Sequence, residues 1–158
     1  ITDEQSALVV DLATGVRSHA IAAELLSGGV PEGVIRAEYC GRPCQARLDF
    51  FNPERGVIDL KTCDDLTWFE ADARRFNYAH QFAFYHALVM RATGEDAAVH
   101  VIAVEKKPPY RCGVWQMSEQ TLAIARRENE AAIARLGECE SRNLWPTGYE
   151  EVRAFDYV

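Results

Sequence analysis

Long apolar runs are missing from this chain of 158 residues. No stretch approaches the roughly 20 residues of a membrane-spanning helix, so the sequence offers no transmembrane segment. Paired cysteines are missing as well. Cys40, Cys44, Cys63, Cys112 and Cys139 make an odd count with no C-x-x-C spacing, which weakens a zinc reading. Reduced thiols in a cytosolic, cytoplasmic protein account for them. A surplus of positive charge is also absent: 17 Lys and Arg stand against 24 Asp and Glu, a net charge of −7. That argues against a protein that coats nucleic acid through bulk charge. It leaves room for chemistry at a carboxylate cluster whose charge bound cations would offset. The start, ITDEQSALVV, has no basic n-region and no initiator Met. It reads as neither a signal peptide nor a natural start, so a fragment of a longer protein is expected. Repeats, low-complexity tracts and linkers are lacking. One domain over 1–158 is expected, with 48% hydrophobic and 26% charged residues, an ordinary globular balance.

Within that domain, apolar positions Leu8, Leu12, Val16, Ile21 and Leu25 recur at helical spacing. They predict a helix over 3–27, stopped by Gly28 and Gly29. GVIRAEYCG and PCQARLDFFN predict two strands turning at Gly41 to Pro43, and PERG turns into a third strand, GVIDLKT. Tight turns between them predict an antiparallel meander. Asp64 or Asp65 caps a helix to about Arg75, and a second helix runs from about Asn77 to Thr93 and ends at Gly94. AAVHVIAVEKK and RCGVWQM predict two more strands around the PPY break. Ser118 caps a long helix that ends near Gly137, and an irregular, aromatic tail follows. The order α-βββ-αα-ββ-α predicts an α/β (α+β) domain with a mixed central sheet flanked by helices.

The third strand carries Asp59 and Lys61 two residues apart, on one face. Ile58 and Leu60 are expected to face the other way, toward the core. Glu38 lies near the end of the first strand and Asp49 near the end of the second, so three carboxylates and a lysine are expected on one patch. Asp49 and Asp59 sit among apolar neighbours, where a charge is costly unless exposed, paired or bound to metal. Taken alone, Asp-x-Lys on a strand is commonly an ordinary salt bridge. The accompanying acid and the helix that follows shift the balance. Two or three carboxylates suffice for magnesium, which keeps several waters. A lysine beside it can orient a water or stabilise charge on a phosphate.

Downstream, Tyr78, Gln81, Phe82 and Tyr85 fall on one helical face. Phe82 suits a core. A buried Gln81 must find partners, and with Tyr85 one turn away it can hold a catalytic carboxylate or a phosphate. His80 and His86 fall on other faces, as surface or packing residues. Arg74, Arg75, Lys106, Lys107 and Arg111 are solvated surface or phosphate contacts. Tyr110 and Trp115 either pack in the core or stack on a base.

An Asp in CQARLDFF, then GVIDLKTCDDL, then FNYAHQFAFYHAL, then LWP at Leu144 to Pro146 resembles the RecB-like branch of the PD-(D/E)xK nuclease superfamily, and within it the RecE-type exonucleases (the exonuclease VIII group of phage and prophage). The resemblance implies a restriction-endonuclease-like PD-(D/E)xK core. It implies that Asp49, Asp59, Glu38 and Leu60 ligand Mg2+ (or Mn2+), that Lys61 is the catalytic lysine, that Gln81 and Tyr85 complete the site, and that Thr62 supports it. The implied activity is 5′ to 3′ digestion of linear double-stranded DNA, leaving 3′ single strands for a RecT-type annealing partner in recombination. A homo-oligomeric ring around DNA ends is implied too. Other RecB-like nucleases, or an inactive DNA-binding module of the same fold, are the alternatives. The family's metal-binding His precedes the first acid by more than His19 does, so that helix is expected before residue 1. Some relatives hold an iron–sulfur cluster, but these cysteines lack its clustered spacing, so no cluster is expected.

Overall fold

The structure, a computed structural model, describes residues 1–155. The last three positions of the aromatic tail lie outside the described residues. Five strands form one sheet in the order β1-β2-β3-β4-β5, with β1 Val30–Tyr39, β2 Arg42–Asn52, β3 Gly56–Cys63, β4 Val99–Glu105 and β5 Cys112–Gln116. The first three are an antiparallel meander, β3 and β4 are parallel, and β4 and β5 are antiparallel. A parallel step needs a crossover. Here it consists of a 3-10 turn Leu66–Trp68, a helix α3 Phe69–Arg75 and a helix α4 Tyr78–Thr93. That crossover lays α4 over the face on which Val57 and Val101 are buried.

Two hydrophobic cores sandwich the sheet. One joins Tyr39, Leu48, Val57 and Val101 to Phe82 and Leu88 of α4 and to Leu122 of α5 Glu119–Arg142. The other joins Ile58, Ile102 and Val104 to Val16 of α1 Asp3–Ser18 and Leu25 of α2 Ala20–Leu25. β3 and β4 are thus covered on both faces, which suits their near-continuous apolar sequence.

The helix expected over 3–27 is two helices. A capping box between Thr2 and Gln5 starts α1. His19 adopts an extended backbone, and its Nδ1 accepts the Ala22 N–H (3.3 Å), which ends one helix and caps the next. The last helix runs past Gly137 to Arg142, where Asn143 in the left-handed region caps it. A lone glycine costs a helix only about 1 kcal/mol. Here the Arg42–Glu140 ion pair, which ties the helix to the start of β2, helps it continue.

Two turns are demanding. Gly56 has φ +91°, and a Cβ there would lie 2.0 Å from the Ala98 carbonyl oxygen, so only glycine starts β3 at this distance from β4. Between β1 and β2, Cys40 and Gly41 both have positive φ, 53° and 71°. A two-residue hairpin of this kind prefers Asn-Gly. Cys40→Asn is therefore expected to stabilise the domain by roughly 0.5–1 kcal/mol, a rise of about 1–4 °C in thermal midpoint. An unchanged or lowered midpoint would contradict this account of the turn.

Candidate active site

β2 follows the alternation of a strand until Leu48. Ala46 and Leu48 face α4, but Phe50 faces the α1/α2 core and Phe51 returns to the first. The alternation slips at Asp49. Across from it, Glu32 has φ 55° and lies between the pairs Pro31↔Phe50 and Gly33↔Leu48. The β2–β3 ladder also ends there, at Phe50↔Ile58. Beyond that point the Leu60 N–H donates to Asp49 Oδ2 (2.9 Å) instead of to a carbonyl. The distortion therefore turns the Asp49 carboxylate toward β3 and opens a gap between the strands. Main-chain N–H and C=O of one strand residue point to the same side, so the Leu60 carbonyl is directed into that gap.

Asp59 sits on the α4 face of β3 and is 1% exposed. Its Oδ1 accepts from Gln81 Nε2 (3.2 Å), and its Oδ2 accepts from Lys61 Nζ. Gln81 Nε2 also donates to the Tyr85 hydroxyl (2.8 Å). The Lys61 side chain is 18% exposed. Its ammonium lies 5.0 Å from the Tyr78 ring centroid and 5.7 Å from that of Phe82. Burial pushes the Asp59 carboxyl up to about 6. Lys61 opposes that rise, and the negative charge of Asp49 adds to it. The two acids thus feel each other across the gap.

The structure brings Asp49, Asp59, Lys61, Gln81 and Tyr85 together. It does not bring Glu38. In the hairpin the end of β1 meets the start of β2, and Glu38 pairs with Pro43. Asp49 is six positions farther along, roughly 20 Å at the rise of a strand. Leu60 does not enter the core either. It is 38% exposed and lines a groove with Leu12, Val16, Arg17 and Thr62. Thr62, two residues on, shares that face and lies opposite Lys61. His86 is buried away from the site between Asp96 (2.6 Å) and Arg126 (3.1 Å). Trp115 packs on Phe69 at 4.6 Å between ring centroids, and the Tyr110 hydroxyl donates to Asp11 (2.8 Å). The aromatic walls around Lys61 were readable only as a helical stripe. Their contact with the lysine depends on how the crossover drops α4 onto β3.

Residues 2–157 match a family described as a PDDEXK-like domain of unknown function, DUF3799. The chain belongs to that family. Its restriction-endonuclease-like fold is shared with a solved candidate exonuclease from Eubacterium rectale. The TM-score is 0.75 at 15% identity, covering 96% of this chain and 63% of that one. The chain therefore spans less than two thirds of that neighbour. An alkaline exonuclease from Laribacter hongkongensis matches at 18% identity over 85% of this chain and 73% of its own, with a TM-score of 0.37. No curated protein matches the chain. No helix among the described residues is long and apolar enough to cross a membrane.

Nucleases of the PDDEXK class generally use divalent metal ions, and the donors here suit one. Two carboxylates and a main-chain carbonyl are hard oxygen ligands of the kind magnesium and manganese take. Asp59 spends one lone pair per oxygen on Lys61 and Gln81, and each oxygen has a second to offer. Among the described residues no group of three or more His, Cys, Asp or Glu gathers as a metal cluster, so waters and substrate oxygens would complete the shell of such an ion.

The raised Asp59 carboxyl gives a pH signature. The folded value, about 6, exceeds the ordinary value of 3.8. Its contribution to stability is full below the ordinary value and is lost as pH rises through 6. Without metal, the wild type is expected to lose about 2 kcal/mol relative to Asp59→Asn as pH rises from 4 to 7. Urea unfolding in chelator across that range reads the difference, and parallel profiles would contradict it. Glu105, held at about 2 chiefly by Arg111, is common to wild type and variant and cancels from the difference.

Proposed function

We propose that this PDDEXK-like domain is a metal-dependent deoxyribonuclease that acts as an exonuclease on linear double-stranded DNA. In this reading digestion runs 5′ to 3′ and leaves 3′ single strands for a RecT-type annealing protein. Double-stranded DNA ends are the substrate, and a homo-oligomeric ring is the assembly that suits continuous digestion. One observation carries the proposal: a buried carboxylate, Asp59, clasped by Lys61 and Gln81, with Asp49 turned toward it from the neighbouring strand.

Each residue has a task that follows from its placement. Asp49 and Asp59, with the Leu60 carbonyl, would hold Mg2+ or Mn2+. When bound, such an ion supplies polarisation of the phosphodiester and activation of the attacking water. Lys61 donates one N–H to Asp59 and keeps two more. These are available to orient the water and to stabilise charge developing on phosphate oxygens. The Tyr78 and Phe82 rings fix the ammonium by cation–π contact and restrict water around it. Gln81 keeps Asp59 from rotating, and Tyr85 accepts from Gln81 and fixes its amide.

A duplex labelled separately at its 5′ and 3′ ends tests the reading. Early release of 5′ label in magnesium is expected, whereas internal or 3′ cuts would point to another RecB-like nuclease. Lys61→Gln is expected to lower the cleavage rate at least 100-fold, and full activity in that variant would remove its role. The presence of two convergent carboxylates rather than three favours one other reading, a DNA-binding module without chemistry. Calorimetry with Mg2+ or Mn2+ separates the two. Asp49→Asn is expected to weaken metal affinity about 10- to 100-fold, and unchanged affinity would count against Asp49 as a ligand.

A further inference from the structure

Helices α3 and α4 are joined by two residues, Phe76 and Asn77. Phe76 closes α3, its N–H donating to the Asp72 carbonyl (2.8 Å), and Asn77 enters the left-handed region (φ 55°, ψ 38°) before Tyr78 begins α4. Asn tolerates that conformation better than most residues. The abrupt turn leaves Phe76 56% exposed. One of its faces rests on Tyr78, 5.9 Å between centroids and 28° between planes. Tyr78 in turn lies against the Lys61 ammonium at 5.0 Å. Phe76 is therefore one aromatic ring away from the proposed catalytic lysine, on the solvent side.

Charge accompanies it. The Arg75 guanidinium lies 5.6 Å from the Phe76 ring centroid, and Arg74 precedes it. Both arginines are exposed, and neither makes an ion pair among the described residues of a chain with net charge −7. An exposed aromatic ring beside guanidinium groups that no carboxylate neutralises suits single-stranded nucleic acid: bases stack on the ring and phosphates meet the cations. A buried helix junction would instead have turned this ring into the core, where Phe69 and Phe82 already are.

We propose that Phe76 is a stacking platform for a nucleobase next to the scissile phosphate, with Arg74 and Arg75 on the neighbouring phosphates. The inference rests on the deoxyribonuclease reading of the site. The occupant is an unpaired or frayed base at a DNA end, because a stacked interior base pair offers no free face. Stacking at Phe76 positions the strand so that the adjoining phosphate reaches Lys61.

Binding to a duplex with a frayed end carrying 2-aminopurine, measured in chelator so that no cleavage occurs, tests this. Wild-type protein is expected to quench the probe through stacking. Phe76→Ala is expected to lose the quenching and to weaken binding about 5- to 100-fold, whereas Phe76→Trp keeps both. The thermal midpoint of Phe76→Ala is expected to stay near wild type, since the ring is largely exposed. Unchanged quenching and affinity in Phe76→Ala, or binding by wild type without quenching, would overturn the inference. Neither result touches the nuclease reading, which stands or falls on end-labelled cleavage in magnesium.

Discussion

A carboxylate shut inside a sheet is the constraint around which this molecule is arranged. Asp59 occupies the middle of β3, a strand covered on both faces. An isolated ionised carboxylate there would be strongly disfavoured. Lys61 supplies the opposite charge and Gln81 a hydrogen bond, yet burial still outweighs them and holds the carboxyl above its ordinary value. A pair of this kind contributes little net stability. Its place in the core fits chemistry better than glue, because a divalent cation would add the positive charge that Lys61 alone does not.

The rest of the sheet accommodates that constraint. β2 and β3 pair for three residues and then part at Asp49, which gives its carboxylate to the Leu60 N–H. The ladder forfeits regular hydrogen bonds but leaves that N–H satisfied. Strand separation and charge placement are thus one event: the side chain that ends the pairing is also the second acid of the site. On the other flank, pairing of β3 with β4 is unbroken from Val57 to Cys63, so β3 is held straight on one side while it opens on the other.

How much of this was legible follows from which contacts are local. Asp59 could be paired with Lys61, and Gln81 with Tyr85, because strand alternation and helical spacing fix relative facing within one element; that the two pairs share a site came from the family resemblance. The meander was legible from its turns. Glu38 was misplaced because the end of a strand says nothing about which end of its partner it meets, and in a hairpin that partner end is the beginning. Leu60 was misassigned for a related reason: alternation gave its face correctly but not whether that face was covered. The break at His19 went unseen because a single extended residue leaves the apolar periodicity on both sides almost unchanged. The slip of alternation at Asp49 involves β1, β2 and β3 together, so no single segment announces it.

The crossover that carries Gln81, Tyr78 and Phe76 must be stiff if it is to set distances to β3, and its attachments suggest how that stiffness arises. At its start, Glu105 accepts the Leu66 N–H (3.0 Å) and is clasped by Arg111 at 2.8 and 2.6 Å, while Asp65 caps the Thr67 N–H at 2.8 Å. Where α3 begins, Phe69 packs on Trp115 and Glu70 accepts from the Trp115 indole (3.2 Å). In the first turn of α4, Asn129 of α5 donates to the His80 carbonyl (2.8 Å). These ties reach β4, β5 and α5, and none of them is made to Asp59 itself. Loosening any of them would leave both site carboxylates in place and move only the helix-borne partners. Geometry at the site therefore separates into a part set by the sheet, which holds the acids and Lys61, and a part set by the anchored crossover, which holds the amide and the rings.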